Sequence, residues 1–443
     1  MSQAVKEQSI YAEAFRDFSS RAGGPPWLAR LRERAFERFD ESGFPTTTEE
    51  DWKYTNVAPL ARRAFEVAGD DGATNLESGA VEQFVYEEAR RSRLVFVNGV
   101  FNRELSSLEA LPDALVAEDL GAALAGEHAE VVREHLGRLS EQGGDAFSSL
   151  NTSFLRGGAF LFVPAGVRAD APVQLLFLST RADAEFAVFP RALVVTGRES
   201  SLDIIESYAA TGGEAYFDDA VVEVFVGHGA RVTHCKVQDE SVRAFHVAST
   251  RAELARDSFY DLTTVTLGAQ LSRHNIEVKL DNEGAECRVD GLYIVGTGQH
   301  ADTHSLISHL KPHCTSRQNY KGILDGKSRA VFNGRVFVHE GARGTDAVQS
   351  NKNLLLSTDA RVDTKPQLEI FNDDVKCAHG ATVGQLEEEE LFYLVSRGLH
   401  TDLARNLLTY GFAEEVVAKI KFESIRAQLD RAILSRLSAR LEV

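Results

Sequence analysis

Apolar and polar residues recur with different periods along the chain, and the period changes near residues 150 and 385. Up to about residue 150 the spacing is mostly helical. Pro25 and Pro26 open a segment in which Trp27, Leu28, Leu31, Ala35 and Phe36 fall at helical spacing while Arg30, Glu33, Arg34 and Glu37 supply a polar face. That pattern predicts one amphipathic helix, stopped by Gly43 and Pro45. The run LVFVNGVF at 94–101 predicts a hairpin, because Asn98-Gly99 between short apolar runs favours a tight turn. Helical spacing returns at 127–139 and ends at Gly143-Gly144.

Between residues 151 and 385 the texture is that of strands. Short apolar runs recur, among them AFLFV at 159–163, VQLLFL at 173–178, VVEVFV at 221–226, LTTVTL at 262–267 and RVFV at 335–338. Polar corners containing a small residue beside a charge separate them, at 228–231, 256–258, 284–286, 314–317 and 341–343, with steps of 27 to 30 residues. A fixed step of that size with strands and corners predicts a solenoid of stacked coils, a parallel β-helix. The alternative, an antiparallel sandwich, needs hairpin signals that are scarce: Asp325-Gly326 is ambiguous and Asn333-Gly334 lies inside an apolar run. The chain therefore divides into an N-terminal helical region with a short strand element (1–150), a β-helix core (151–385) and a C-terminal helical region (386–443).

In the last region Glu387 to Glu390 start a helix, where anionic side chains favour the positive end of the helix dipole. Three helices are expected, at roughly 386–397, 401–410 and 412–441, broken at Gly398 and Gly411. Leu391, Leu394, Val395, Leu403, Leu407 and Leu408 form the first apolar face. Val416, Val417, Ile420, Ile425, Leu429, Ile433, Leu434 and Leu437 form a long stripe that must dock within the chain or on a partner.

Composition narrows the function. At 443 residues the chain exceeds a single small module, and 43% hydrophobic with 26% charged residues is ordinary globular usage. Lys and Arg number 48 against 66 Asp and Glu, and a net charge of −18 repels phosphate backbones, which excludes nucleic acid as a general partner. Four scattered cysteines, no Cys-x-x-Cys pair, no signal-peptide start and no apolar run of spanning length point to a soluble, cytoplasmic protein with neither a zinc site nor a membrane partner. Phosphate-loop, dinucleotide, nucleophile-elbow and His-Glu-x-x-His motifs are all missing, so no self-contained catalysis is expected.

Two places carry donor chemistry. His300, His304, His309 and His313, with Cys314 adjacent, offer imidazoles and a thiol. On a strand, however, the first two histidines lie on one face and the last two on the other, so the four converge only across a turn, and surface or corner roles are favoured. Cys377 and His379 are two apart and share a face if extended. A thiol beside an imidazole suits a nucleophile and base, or a contact to iron or copper. Residue type alone favours a structural Cys377.

The stretch from Val331 to Leu399, extended by TSRQNYKGILDG at 315–326 and DWKYTNVAPL at 51–60, resembles the SufB/SufD family of iron-sulfur cluster assembly proteins. The resemblance implies a right-handed parallel β-helix between helical ends. It implies a non-catalytic scaffold that pairs with a SufB-like subunit and binds a SufC-like ABC ATPase through its C-terminal helices. Laid on SufB through PQLEI at 366–370 and LFY at 391–393, the cluster-building thiol of SufB falls at Ala360 and the glutamate after its histidine at Gly380, which favours the SufD branch. A SufB-type paralogue, a self-contained β-helix metalloprotein and a carbohydrate-acting β-helix are the alternatives. His379 coincides with the SufD histidine that faces SufB, so His379, with Cys377 as a second ligand, is expected to contact transient iron or a nascent cluster. No cofactor is expected to stay bound to the isolated chain, and nothing in the sequence marks a site for the reduced flavin associated with the assembled complex. The last coils, residues 345–385, are expected to meet the SufB-like subunit. Leu391, Val416, Ile420, Ile425 and Leu429 are expected to dock the ATPase.

Overall fold

A computed structural model describes residues 11–438 apart from 64, 70–75, 77, 143 and 181–184. Its centre is a β-solenoid of about eight turns, flanked by N-terminal and C-terminal helices. From Arg191–Thr196 onward successive strands alternate between two sheets, so that each sheet takes every second strand. From Phe217–Val226 through Phe245–Leu254, Leu271–Leu280, His300–His309 and Arg329–Val338 to Arg361–Ile370, all neighbours in the first sheet are parallel and in register. Val224, Ala252, Val278, Ile307, Val336 and Leu368 stack along one such ladder. Each coil thus lays an apolar side chain on the equivalent one below, and those of the first four coils belong to one continuous core.

The recurring polar corners have a common cause. Glu199, Gly229, Asp257, Gly284, His313 and Gly344 all adopt positive φ, between 54° and 72°. Each donates its N–H to a carbonyl of the next coil, for example Gly229 to Arg256 at 2.9 Å, Asp257 to Glu283 at 3.1 Å and His313 to Arg343 at 2.8 Å. A left-handed residue is needed once per coil, which draws glycine or a short polar residue to that position and writes the period into the sequence.

Two of the expected local elements form as read, whereas the helical spacing at 127–139 is divided at Leu136 and the left-handed Gly137 into helices Ala129–His135 and Arg138–Gln142. Pro26–Ser42 is a single helix burying Leu28, Leu31, Ala35 and Phe39, and it ends at Gly43 with φ +65°. Arg93–Val97 and Val100–Ser107 pair antiparallel around Asn98 and Gly99, both at positive φ as a tight hairpin turn requires. This hairpin continues the second sheet at its N-terminal edge, and Val116–Asp119 covers the same edge of the first. Gly143 lies outside the described residues.

The N-terminal helices cover the outer face of the first sheet, where Trp52, Phe147 and Leu150 pack on Phe217, Phe245 and Leu271. A buried ion pair fastens them. Arg191 pairs with Glu223, both fully buried, and also reaches Asn151, Thr152 and Ser140. Glu223 accepts the backbone N–H groups of Gly137, Leu139 and Ser140 at 2.8 to 3.1 Å.

The C-terminal region differs from expectation in two ways. Its helices are Glu388–Ser396, Thr401–Val417 and Glu423–Ser438, so the chain breaks at Gly398 as expected but runs through Gly411 and turns at 418–422 instead. An interior glycine costs only about 1 kcal/mol, which burial of Ala413, Val416 and Val417 on the same helix readily offsets. The second difference concerns the apolar stripe. Val416, Ile420, Ile425 and Leu429, expected to dock the ATPase, are at most 2% exposed and pack on Ile205, Val237, Val265 and Leu292 of the second sheet. They are core residues of this chain, because the outer face of that sheet is itself apolar and closes over them first. Leu391 is half-buried. The side chain of Leu437, the last residue of the stripe, and the expected end of the helix beyond residue 438 lie outside what the structure describes. Among the described residues no helix is long and apolar enough to cross a membrane.

Candidate functional site at the open end of the solenoid

The N-terminal end of the solenoid is covered, but among the described residues the other end is not. Arg361–Ile370 and Val375–Gly384 are the terminal strands of the two sheets, and among the described residues nothing pairs with their outer edges. In the first of them Arg361 and Phe371 donate inward, to Ser328 and Val338. Alternation then leaves the N–H groups of Val362, Thr364 and Leu368 facing outward, and the intervening Pro366 has none to lose.

Cys377 and His379 lie on the second terminal strand, in register with Ala347 and Gln349 of the coil beneath. The extended backbone puts them on one face, as their spacing requires. Cys377 is half-buried and packs toward Ala347, Val336 and Val338. Burial, with the Asp346 carboxylate nearby, pushes its thiol above the usual range. His379 is exposed. Beneath it the interior is polar: Gln349 donates to Gln318 Oε1 at 2.7 Å, and Gln318 donates to Ser305 Oγ at 2.8 Å. The mouth therefore offers an imidazole in solvent and a neutral thiol one step further in, both suited to transition metals once the thiol is deprotonated. Ala360 is buried at the corner that precedes the first terminal strand.

The histidine run is dispersed, as strand parity requires. His300 and His304 lie on the outer face of the first sheet, where His300 Nε2 is 2.9 Å from Thr55 Oγ1 and His304 Nε2 is 3.1 Å from Asp302 Oδ1. Burial would raise the Asp302 carboxyl, but Arg273 beside it holds the group well below the usual range. His309 points inward to Ser316 Oγ at 2.8 Å, and burial lowers it to about 4. His313 is the left-handed corner of its coil. Cys314 is buried with its thiol on the Asn282 carbonyl at 3.2 Å.

Inside the central coils lies a polar cluster that sequence reasoning missed. Glu206, Asp218, His234, Lys236, Glu240 and His246 are all at most 7% exposed. The signal was present as ionisable residues at the inward-facing positions of strands whose other inward positions are apolar, for instance Asp218 on the strand that carries Ala220, Val222 and Val224.

Comparison with known proteins agrees with this architecture. Residues 177–412 match the family model of the SUF system FeS cluster assembly SufBD core domain, and residues 6–175 match that of the SufBD protein N-terminal region. An iron-sulfur cluster assembly SufBD family protein of Synechocystis is 36% identical, covering 98% of this chain and 94% of its own length. The iron-sulfur cluster assembly protein SufD of Escherichia coli is 31% identical over 90% of both chains. The SufB protein of Bacillus subtilis is 24% identical, over 94% of this chain and 91% of its own. With a solenoid core, helical ends and both family models matched in sequence order, the chain belongs to the SufBD family of iron-sulfur cluster assembly proteins.

Proposed function

We propose that the chain is a SufD-type scaffold subunit that pairs through its open solenoid end with a SufB-like subunit and contributes His379 and Cys377 to the site where iron and sulfide become a nascent cluster. Iron is cargo in this reading. The observation that carries it is the position of Cys377 and His379 on a terminal strand whose outer edge has no pairing partner among the described residues. A second solenoid can continue the two sheets there by adding its own strands, gaining backbone hydrogen bonds without a large apolar patch. Alanine at 360 and glycine at 380 support the SufD branch, as does the higher identity to the Escherichia coli SufD than to the Bacillus subtilis SufB.

A tagged chain recovered from native lysate should bring down a SufB-like subunit and an ABC-type ATPase. Leu368→Pro should lower SufB recovery several-fold. It removes an N–H that faces outward, so the ladder within the chain survives, and Leu368→Ala controls for the lost side chain. Unchanged recovery by the proline variant would refute pairing through this edge.

The ATPase is assigned to the exposed side of the C-terminal helices. Phe392 is 74% exposed, and Tyr393, Leu403 and Leu407 are each about half exposed. These four project from two consecutive helices beside the open end, and large apolar groups in solvent mark partner sites. Phe392→Asp combined with Leu407→Asp should abolish ATPase co-purification while SufB recovery and circular dichroism stay as in the wild type. Retained ATPase would move the docking site elsewhere.

A further inference from the structure

We propose that Asp218, Glu240 and His246 bind one divalent transition-metal ion inside the central coils of the solenoid. Among the described residues they are the one group of His, Cys, Asp and Glu donors close enough together to hold a metal, with ligand atoms all within 4.8 Å of one another. Asp218 and His246 are register partners on adjacent strands of the first sheet. Glu240 follows the strand Arg231–Asp239 of the second sheet and reaches across the interior to them. His246 Nδ1 is 2.8 Å from Glu240 Oε2 and 3.8 Å from Asp218 Oδ1. Donors about 2.0–2.2 Å from a shared ion stand roughly 3–3.6 Å apart, so small side-chain shifts would close this set.

An independent observation points to a ligand. Asp218 Oδ1 is fully buried, faces the group and has no hydrogen-bond partner, and the side-chain oxygen of Gln238, whose amide donates to Glu240, is equally unpartnered. A buried acceptor left in that state is costly unless something else satisfies it. Outer contacts already hold the Glu240 carboxylate in place: Tyr216 donates to Oε1 at 2.8 Å and Gln238 to Oε2 at 2.9 Å. Such second-layer donors orient metal-binding carboxylates.

The local charge is also unbalanced. Glu206 has His234 at 2.7 Å and Lys236 at 3.7 Å, whereas Asp218 and Glu240 have one imidazole in direct contact and feel the Lys236 charge only from further off. Lys236 lies 3.1 Å from the other ring nitrogen of His246, and Nδ1 faces the carboxylates; ligation through Nδ1 puts the ring proton on Nε2, where Lys236, lowered by burial, accepts it as a neutral amine. Two carboxylate oxygens and an imidazole nitrogen, with no thiolate, suit manganese, iron(II), cobalt or zinc over copper(I), and the imidazole disfavours magnesium and calcium. Four to five coil steps, roughly 20–25 Å, separate this cluster from His379.

Because the cluster is enclosed, an ion must enter as the chain folds, so the test loads it during synthesis. The full chain is produced in cobalt-supplemented minimal medium, gel-filtered, and read by elemental analysis, visible absorption and thermal melting before and after chelation. The expected result is about one cobalt ion per chain, resistant to chelator at room temperature, with a d–d band and a melting temperature above that of chain made without cobalt. The Cys377→Ser/His379→Ala double variant should keep all three properties. Asp218→Asn and His246→Gln should lose the ion. Wild-type chain carrying no cobalt overturns the proposal, as does loss of the ion in the Cys377→Ser/His379→Ala variant or its full retention in a folded Asp218→Asn chain. Should neither cluster variant fold, the wild-type and Cys377→Ser/His379→Ala measurements still decide the matter.

Discussion

Replacing Glu223 by leucine should lower the unfolding free energy by about 3–5 kcal/mol. The substitution leaves the fully buried Arg191 guanidinium with only neutral acceptors, from Asn151, Thr152 and Ser140. It also strands the amides of Gly137, Leu139 and Ser140, which have the carboxylate as their acceptor. An unpaired buried charge and orphaned donors are among the costliest single defects in a protein interior. The double variant Arg191→Met/Glu223→Leu should be less destabilised than Glu223→Leu alone, because removing both charges also removes the desolvation penalty that one leaves behind. Urea unfolding followed by circular dichroism measures both. A Glu223→Leu midpoint equal to that of the wild type would show that the segment carrying helices Arg138–Gln142 and Ala146–Ser153 is held by its apolar contacts alone. The same segment should become the first site of limited proteolysis in Glu223→Leu, since this network joins it to the solenoid.

His379→Ala should reduce iron and acid-labile sulfide in the purified complex several-fold while leaving assembly and ATP hydrolysis intact. Among the described residues His379 has no hydrogen bond or ion pair within the chain, and its side chain lies in solvent at the mouth, so truncation should cost stability less than about 0.5 kcal/mol. What it removes is a neutral imidazole, a good iron donor, at the edge assigned to the partner. Cys377→Ser separates two roles of the thiol. Its raised pKa, set first by burial, means that it ligates only if metal binding drives off its proton. If it does, Cys377→Ser loses iron as His379→Ala does; if Cys377 only packs on Ala347, iron content stays and the melting temperature falls slightly. Wild-type iron and sulfide in the His379→Ala complex would remove His379 from the site.

Much of the architecture was legible from local signals. The helix at Pro26–Ser42 follows from its proline start, its apolar spacing and Gly43. The hairpin follows from Asn98-Gly99, and the coil period from residues such as Gly229, Asp257 and Gly284, which must be left-handed. Each of these constraints acts within a few residues, so composition at those positions records it. The shared face of Cys377 and His379, and the dispersal of His300, His304, His309 and His313, likewise follow from strand parity.

Tertiary structure decided where each buried face finds its complement. The spacing of Val416, Ile420, Ile425 and Leu429 required that the stripe be covered, but only the outer face of the second sheet, with Ile205 and Leu292 more than a hundred residues away, made that cover part of the same chain. The turn at 418–422 rather than at Gly411 follows from that docking, since packing outweighs a glycine's small helical penalty. The enclosure of Asp218, Glu240 and His246 depends on which strands the coils bring face to face, and the exposure of the last edge depends on where stacking stops. Periodicity along the chain states which side of an element must leave water; the partner it finds there is set by long-range pairing, which no local pattern of residues encodes.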